Sequence, residues 1–444
     1  MKKIGMISLG CPKNLVDSEI MLGLLKKDYE ITNDPKTADV LIVNTCGFIE
    51  SAKQESIDTI LEMAKYKEEN AEILIVTGCM AQRYKESIIE EIPEVDAVVG
   101  TGKYTEIAQV INRAYEGHKE ILIDNIESES LLESDRVLTT EKGMAYLKIA
   151  EGCDNHCTYC IIPSLRGKFR SRTIETIVKE AEDLSKNGVK ELILVAQDTT
   201  RYGIDLYGEK RLVELIRELS KIDEIEWIRL LYCYPEEIDD KLIDELAGNP
   251  KVCKYLDIPI QHASEKVLKI MGRRGSHKDT LEVLSKIRAR VPEVMLRTSI
   301  IVGFPGETEE DFEILKEFVK DFKFDRLGVF EYSKEEDTPA AKMKGQIPQK
   351  VKQDRRELLM SLQQAITASI NNTRIGKVYK TIVEDVSDDG IFYYGRTYSE
   401  APDIDGLVYF TSQEPLEAGE FVNVKILNID NYDLVGEVVY ESSK

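Results

Sequence analysis

At 444 residues, 42% hydrophobic and 32% charged, the chain has the length of two or three domains and a globular composition, which excludes fibrous and disordered classes. Its formal charge of −22, from 59 basic and 81 acidic residues, repels phosphate backbones at long range and disfavours nucleic acid as a partner. No apolar run approaches the roughly 18 residues of a membrane span, and the opening run from Ile4 to Leu9 is shorter than an export-signal core of about 7–15 residues.

A cytoplasmic enzyme is therefore expected, with eight cysteines that serve metal binding or catalysis before disulfides. The first 123 residues alternate β-rich runs with helical patterns. The runs are "KIGMISLG" (3–10), "DVLIVNT" (39–45), "EILIVTG" (72–78) and "DAVVG" (96–100), and 51–65 is one of the helical segments. Continuous apolar strands separated by helices predict an α/β domain whose parallel sheet is covered on both faces. Ligands of such sheets gather at the carboxyl ends of the strands. Cys11, Cys46 and Cys79 each follow one of the first three runs, so three loops bring one cysteine each to the same edge. The competing reading is three buried small apolar residues, a common fate of free cysteine.

Residues 124–142 are polar and acidic and read as a linker. A second βα series then spans 143–347, with strands expected at 145–150, 191–197, 227–232, 255–260, 295–302 and 326–332. Six strands are too few for a complete eight-strand barrel and predict an open, partial (β/α)6 barrel of TIM type, with its chemistry where strands meet the following loops. Residues 348–372 form one amphipathic helical pattern. From 373 to 444 the alternation is strand-like, broken by Gly and Asp turns, and predicts a small antiparallel β-barrel, OB-like in kind. This tail has 6 Lys/Arg against 14 Asp/Glu, a net of −8.

The densest chemistry is "EGCDNHCTYC", which places Cys153, Cys157 and Cys160 in a C-x3-C-x2-C loop after the first barrel strand. Three thiolates in one loop can hold three irons of a 4Fe-4S cubane. The fourth iron stays open to the amino and carboxylate groups of S-adenosylmethionine, whose reductive cleavage yields a 5′-deoxyadenosyl radical. A structural zinc site completed by His156 or a distant ligand is the alternative, although zinc loops favour C-x2-C pairs. Cys233 and Cys253 lack companions at ligand spacing and read as packed thiols, and His118, His262 and His277 are isolated.

C-x3-C-x2-C after the first strand of a six-strand βα barrel resembles the radical S-adenosylmethionine enzymes. Three upstream cysteines and a β-barrel tail narrow the resemblance to the methylthiotransferases, over essentially the whole chain. That resemblance implies an auxiliary 4Fe-4S cluster at Cys11, Cys46 and Cys79, a radical-generating one at Cys153, Cys157 and Cys160, and a tail of the TRAM type. It places Tyr159 near the adenine of S-adenosylmethionine and Gly303 and Gly306, in "IVGFPGETEEDF", against the same cofactor. "GCPKNLVDSE", "IIPSLRGKFRSR" (161–172) and "GRTYSEAPDIDG" (395–406) are similar to the branch that methylthiolates the β-carbon of an aspartate in ribosomal protein S12. An acidic tail suits such a basic protein substrate. An electron donor is implied as a further partner, with a separate sulfur donor left open and no membrane involved. Two alternatives stand beside it: the same chemistry on an N6-modified adenosine of tRNA, and a non-catalytic iron–sulfur redox or RNA-binding protein. Arg166, Lys168, Arg170 and Arg172 read either as anchors for a cofactor or substrate carboxylate or as a solvated basic loop.

Overall fold

The computed structural model describes residues 1–123, 126 and 136–440, so most of the linker expected at 124–142 lies outside the described residues. The chain forms two compact units. One comprises Met1–Thr139, Ala150–Arg172 and Ser333–Lys342, the other Thr140–Ile149, Thr173–Tyr332 and Met343–Lys444. Among the described residues no helix is long and apolar enough to cross a membrane.

In the first unit, strands β1 (Lys3–Ser8), β2 (Glu30–Thr32), β3 (Val40–Thr45), β4 (Ile73–Gly78), β5 (Ala97–Val99) and β6 (Glu120–Leu122) make one sheet, ordered β2-β1-β3-β4-β5-β6. Every pair is parallel. β3 and β4 are buried along their whole length, which is why they read as unbroken apolar runs. Leu41, Val43, Leu74 and Val76 pack with Ile60 and Met63 into a core on one face. The edge strands β2 and β6, three residues each, are absent from the sequence expectation because they are only partly covered and lack the apolar run that marks the equally short but buried β5. Strand order reverses at β1, which makes the carboxyl ends of β1 and β3 a topological switch point. Helices α1 (Pro12–Leu25), α2 (Glu50–Ala64) and α3 (Cys79–Tyr84) leave from that edge.

The same unit includes 150–172, where Ala150–Glu151 and Arg170–Ser171 pair as an antiparallel ribbon around the second cysteine group. Read along the chain, this loop belongs to the barrel. In space it packs on the N-terminal sheet, because Ile161 and Leu165 bury themselves against Cys79.

In the second unit, β7 (Met144–Lys148), β8 (Glu191–Val195), β9 (Trp227–Leu230), β10 (Val252–Asp257), β11 (Met295–Val302) and β12 (Arg326–Glu331) are parallel neighbours in sequential order, an open six-strand βα sheet. The helix Gln349–Asn372 packs along β12. Strands β13 (Val378–Val386), β14 (Tyr393–Thr397), β15 (Val408–Thr411), β16 (Phe421–Asp430) and β17 (Asp433–Val438) then close a barrel around Val383, Val408, Phe410, Val424, Ile426 and Leu434. Its pairs are antiparallel except β15 with β17, a parallel pair that local alternation cannot reveal.

Candidate functional site

Three neighbouring strands of the first unit each deliver a cysteine. β1 ends in a tight turn at Gly10 (φ +88°), and Cys11 caps α1 with Pro12 in its first turn. A Cβ on Gly10 would fall 2.7 Å from Cys46 Cβ and 2.9 Å from its Sγ, so the turn after β1 lies directly against the cysteine that follows β3. Ser56 Oγ, on α2, accepts from the Cys46 N–H at 3.1 Å. Cys79 is buried at the start of α3, immediately after β4.

Asn14 fastens these loops together. Its Nδ2 donates to Leu9 O at 2.9 Å and to Thr45 O at 3.0 Å, the carbonyls just ahead of Cys11 and Cys46. Asn44 Nδ2 returns a bond to Asn14 O at 2.8 Å. Asn14 thus fixes two of the three cysteine loops in register, a role nothing in its residue type announces.

The second triad is held by its own backbone. Cys153 N donates to Gly167 O and Cys160 N to Cys157 O, both at 3.0 Å. Asn155 N approaches Cys153 Sγ at 3.4 Å and Ile162 N approaches Cys160 Sγ at 3.5 Å, so amide dipoles favour charge on both sulfurs. Cys153 and Cys157 are buried, Cys160 partly so. His156 is exposed, and Tyr159, in the same loop, is half-buried.

Arg166 joins the two groups. Only 3% exposed, it donates from Nη1 to Asp17 Oδ2 (2.7 Å) and Glu151 Oε2 (3.1 Å). From Nη2 it donates to Asn14 Oδ1 (2.6 Å), and from Nε to Cys79 Sγ (3.4 Å). Neither reading of Arg166 from sequence holds, because it is not solvated and its donors are engaged by the protein. Arg170 likewise turns inward, to Lys168 O and Arg166 O, whereas Lys168 is exposed.

The segment Ser333–Lys342 braces both cysteine groups, a link the sequence distance conceals. Buried Glu335 pairs with Lys53 of α2 and Arg83 of α3, each at 3.0 Å, and Arg83 also donates to Gly47 O at 2.9 Å, next to Cys46. Ala340 N donates to Thr158 O at 2.9 Å, inside the second cysteine loop.

Burial raises the thiols of Cys46, Cys79 and Cys160. Burial pushes Cys46 up to about 12, and the Cys79 and Cys11 thiols add to the effect. Burial also raises Cys79, although Arg166 counteracts it. Cys160 is raised by its surroundings and by Cys157 and Cys153. Such thiols ionise fully only when a metal takes the place of the proton. Among the described residues no three His, Cys, Asp or Glu side chains converge on a single-ion site. A cubane has no such requirement, because each thiolate binds its own iron. Sulfur-only triads with amide donors fit that group.

Gly303 and Gly306 belong to the second unit, in the turn after β11. A Cβ on Gly303 would fall 2.3 Å from Lys352 Cγ, so the close approach there is to a side chain of the Gln349–Asn372 helix. A Cβ on Gly306 (φ +84°) would meet only Ile270 Cδ1, at 3.9 Å, an ordinary van der Waals contact, and Gly306 N donates to Gly345 O at 2.9 Å. Nearby His262 is buried, with Nδ1 accepting from Ser264 N at 2.9 Å, and burial lowers it to about 3. Cys233 and Cys253 are buried, as packed thiols should be.

Against known families, residues 3–100 match Uncharacterized protein family UPF0004, 147–319 the Radical SAM superfamily and 375–439 the TRAM domain. The ribosomal protein uS12 methylthiotransferase RimO of Acetivibrio thermocellus is 64% identical over 451 residues, covering 100% of both chains. The protein of the same name from Clostridium tetani is 55% identical over 442 residues, 100% of this chain and 99% of that one. Among solved structures, the radical S-adenosylmethionine methyltransferase TsrM from Kitasatospora setae has a TM-score of 0.55 at 14% identity over 77% of each chain, a likeness of fold alone. Identity of this order over the full length, across both cysteine triads and the tail, means that the chain belongs to the RimO family of ribosomal protein uS12 methylthiotransferases, within the radical S-adenosylmethionine superfamily.

Proposed function

We propose that this chain adds a methylthio group to the β-carbon of an aspartate in ribosomal protein S12, with a 4Fe-4S cluster at each cysteine triad. The observation that carries the reading is that one compact unit contains both triads and packs Cys79 against Ile161, the residue after Cys160. The names and identities of the relatives support the substrate.

A cluster held by Cys153, Cys157 and Cys160 supplies, when bound, the electron that cleaves S-adenosylmethionine. The chain's part is to hold and tune. The amides of Asn155 and Ile162 stabilise thiolate charge, Cys11, Cys46 and Cys79 present the auxiliary group, and Tyr159, in the loop of the second triad, contacts the cofactor. Residues 1–123, 143–347 and 373–444 act as sulfur-delivery, radical and substrate-recruiting parts, joined by 124–142 and 348–372. The tail, with its net charge of −8, attracts a basic ribosomal protein in the cytoplasm. An external reductant supplies electrons.

The test is anaerobic reconstitution followed by mass spectrometry of an S12 substrate. Cys157→Ala should abolish deoxyadenosine formation, while Cys46→Ala should keep cofactor cleavage yet lose methylthio transfer. Methylthiolation by the Cys46 variant, or transfer to tRNA and not to the protein, would overturn the proposal.

A further inference from the structure

We infer that Arg166 is a positioning residue for the group held at Cys11, Cys46 and Cys79, and that it sets the reduction potential of that group from the loop that carries the other triad. This rests on the proposed cluster at the first triad.

The guanidinium is buried and four-fold partnered, with Nε on Cys79 Sγ and its two terminal nitrogens on Asp17, Glu151 and Asn14. Burying an arginine is expensive, and one carboxylate would suffice to neutralise it. Two carboxylates and an amide instead fix the planar fork in one orientation, the one that aims Nε at sulfur. An N–H donor and a positive charge on a ligating sulfur stabilise the more negative, reduced cluster and so raise its potential. Asp17 opposes this by drawing on the same guanidinium. Lysine, a point charge without the fork, cannot meet all four partners. Asn14 gives the residue a second use. The amide that registers the Cys11 and Cys46 loops is itself fixed by Arg166 Nη2, so one side chain reaches all three loops of the first triad.

The experiment uses the full chain with Cys153, Cys157 and Cys160 replaced by alanine, so that one cluster remains, in a redox titration followed by electron paramagnetic resonance. Arg166→Gln should lower the midpoint, making the cluster about tenfold harder to reduce, a shift of about 59 mV for one electron. Arg166→Lys should shift it in the same direction by less, and Asp17→Asn should raise it. Opposite signs for Arg166→Gln and Asp17→Asn would not arise from loosened packing alone. If Arg166→Gln fails to fold, the Asp17→Asn shift decides. Midpoints unmoved at full iron content would overturn the inference. If adding Cys79→Ala to this background removes no iron, the cluster assignment itself fails, and the inference with it.

Discussion

Glu191 and Arg396 pair at 2.8 Å with both side chains wholly buried, joining β8 of the parallel sheet to β14 of the C-terminal barrel. Glu191 also accepts from Arg229 Nε at 2.7 Å, Arg396 pairs with Glu384, and Arg229 Nη1 donates to Tyr398 O at 2.6 Å. "GRTYSEAPDIDG" is therefore a joint. Arg396, Thr397, Ser399, Glu400 and Ala401 are buried, and Asp403 and Asp405 accept from Tyr146 and Tyr255 of the parallel sheet. The string thus fixes the tail to the βα sheet.

Removing Arg396 leaves Glu191 to Arg229 alone and takes the arginine from buried Glu384, and breaking a buried pair in this way costs about 3–5 kcal/mol. Arg396→Gln should lower the thermal midpoint and let the tail unfold ahead of the sheet, splitting one transition into two. Glu191→Gln combined with it should cost less than the two single changes together, because the Glu191–Arg396 contact can be lost only once, although Arg229 and Glu384 each still lose a partner. Strict additivity in that cycle would count against the joint.

Glu400 predicts an acid limit. Burial disfavours its charge, but Arg374 (2.6 Å) and Arg326 (3.4 Å) outweigh burial and hold it down at about 2. A carboxylate depressed on folding stabilises above its unfolded value, about 4.3, and that contribution is lost as pH falls towards 2. It amounts to about 3 kcal/mol at neutral pH. Glu400→Gln should be less stable than the parent at pH 7, with the gap narrowing through this window when unfolding is followed by circular dichroism.

Most strands of the two parallel sheets were legible because buried strands such as Val40–Thr45 and Ile73–Gly78 are unbroken apolar runs, with cysteines at the ends of three of them, and the barrel was legible from alternation broken by turns. The bonds that hold the candidate site were not. Asn14 and Asp17 look like ordinary helix residues, and Arg166 like one cation among four. Their roles come from partners far apart in sequence, up to 152 residues in the case of Asn14 and Arg166. Glu335 lies still further from its partner Arg83, at 252 residues, and no local period encodes such a contact.

Glu335 should matter more for retaining iron than for folding. It accepts from Lys53 and Arg83, whose helices follow Cys46 and begin at Cys79, and Ser333 Oγ adds a bond at 2.6 Å. Glu335→Ala removes the carboxylate shared by two largely buried cations, leaves Lys53 to Glu50 and Arg83 to Glu336, and loosens the side chain that holds the Gly47 turn. Reconstituted protein should then lose iron to a chelator severalfold faster than the parent, with far-ultraviolet circular dichroism unchanged. Equal rates of iron loss would show that the brace does not reach the cysteines.

Gly10→Ala separates the two triads by geometry. The residue has φ +88°, where a side chain costs about 1–2 kcal/mol, and the added methyl would overlap Cys46 at 2.7 Å from Cβ and 2.9 Å from Sγ. Cys46 cannot retreat freely, because Ser56 holds its N–H and the loop behind it is tied through Asn14 to Thr45. The strain therefore falls on the first triad alone. Reconstituted Gly10→Ala should lose the iron of one cluster, keep cofactor cleavage by the other, and fail to transfer the methylthio group. Iron analysis with a deoxyadenosine assay on one sample reads all of this, and loss of cleavage alongside the iron would mean that the turn supports both triads.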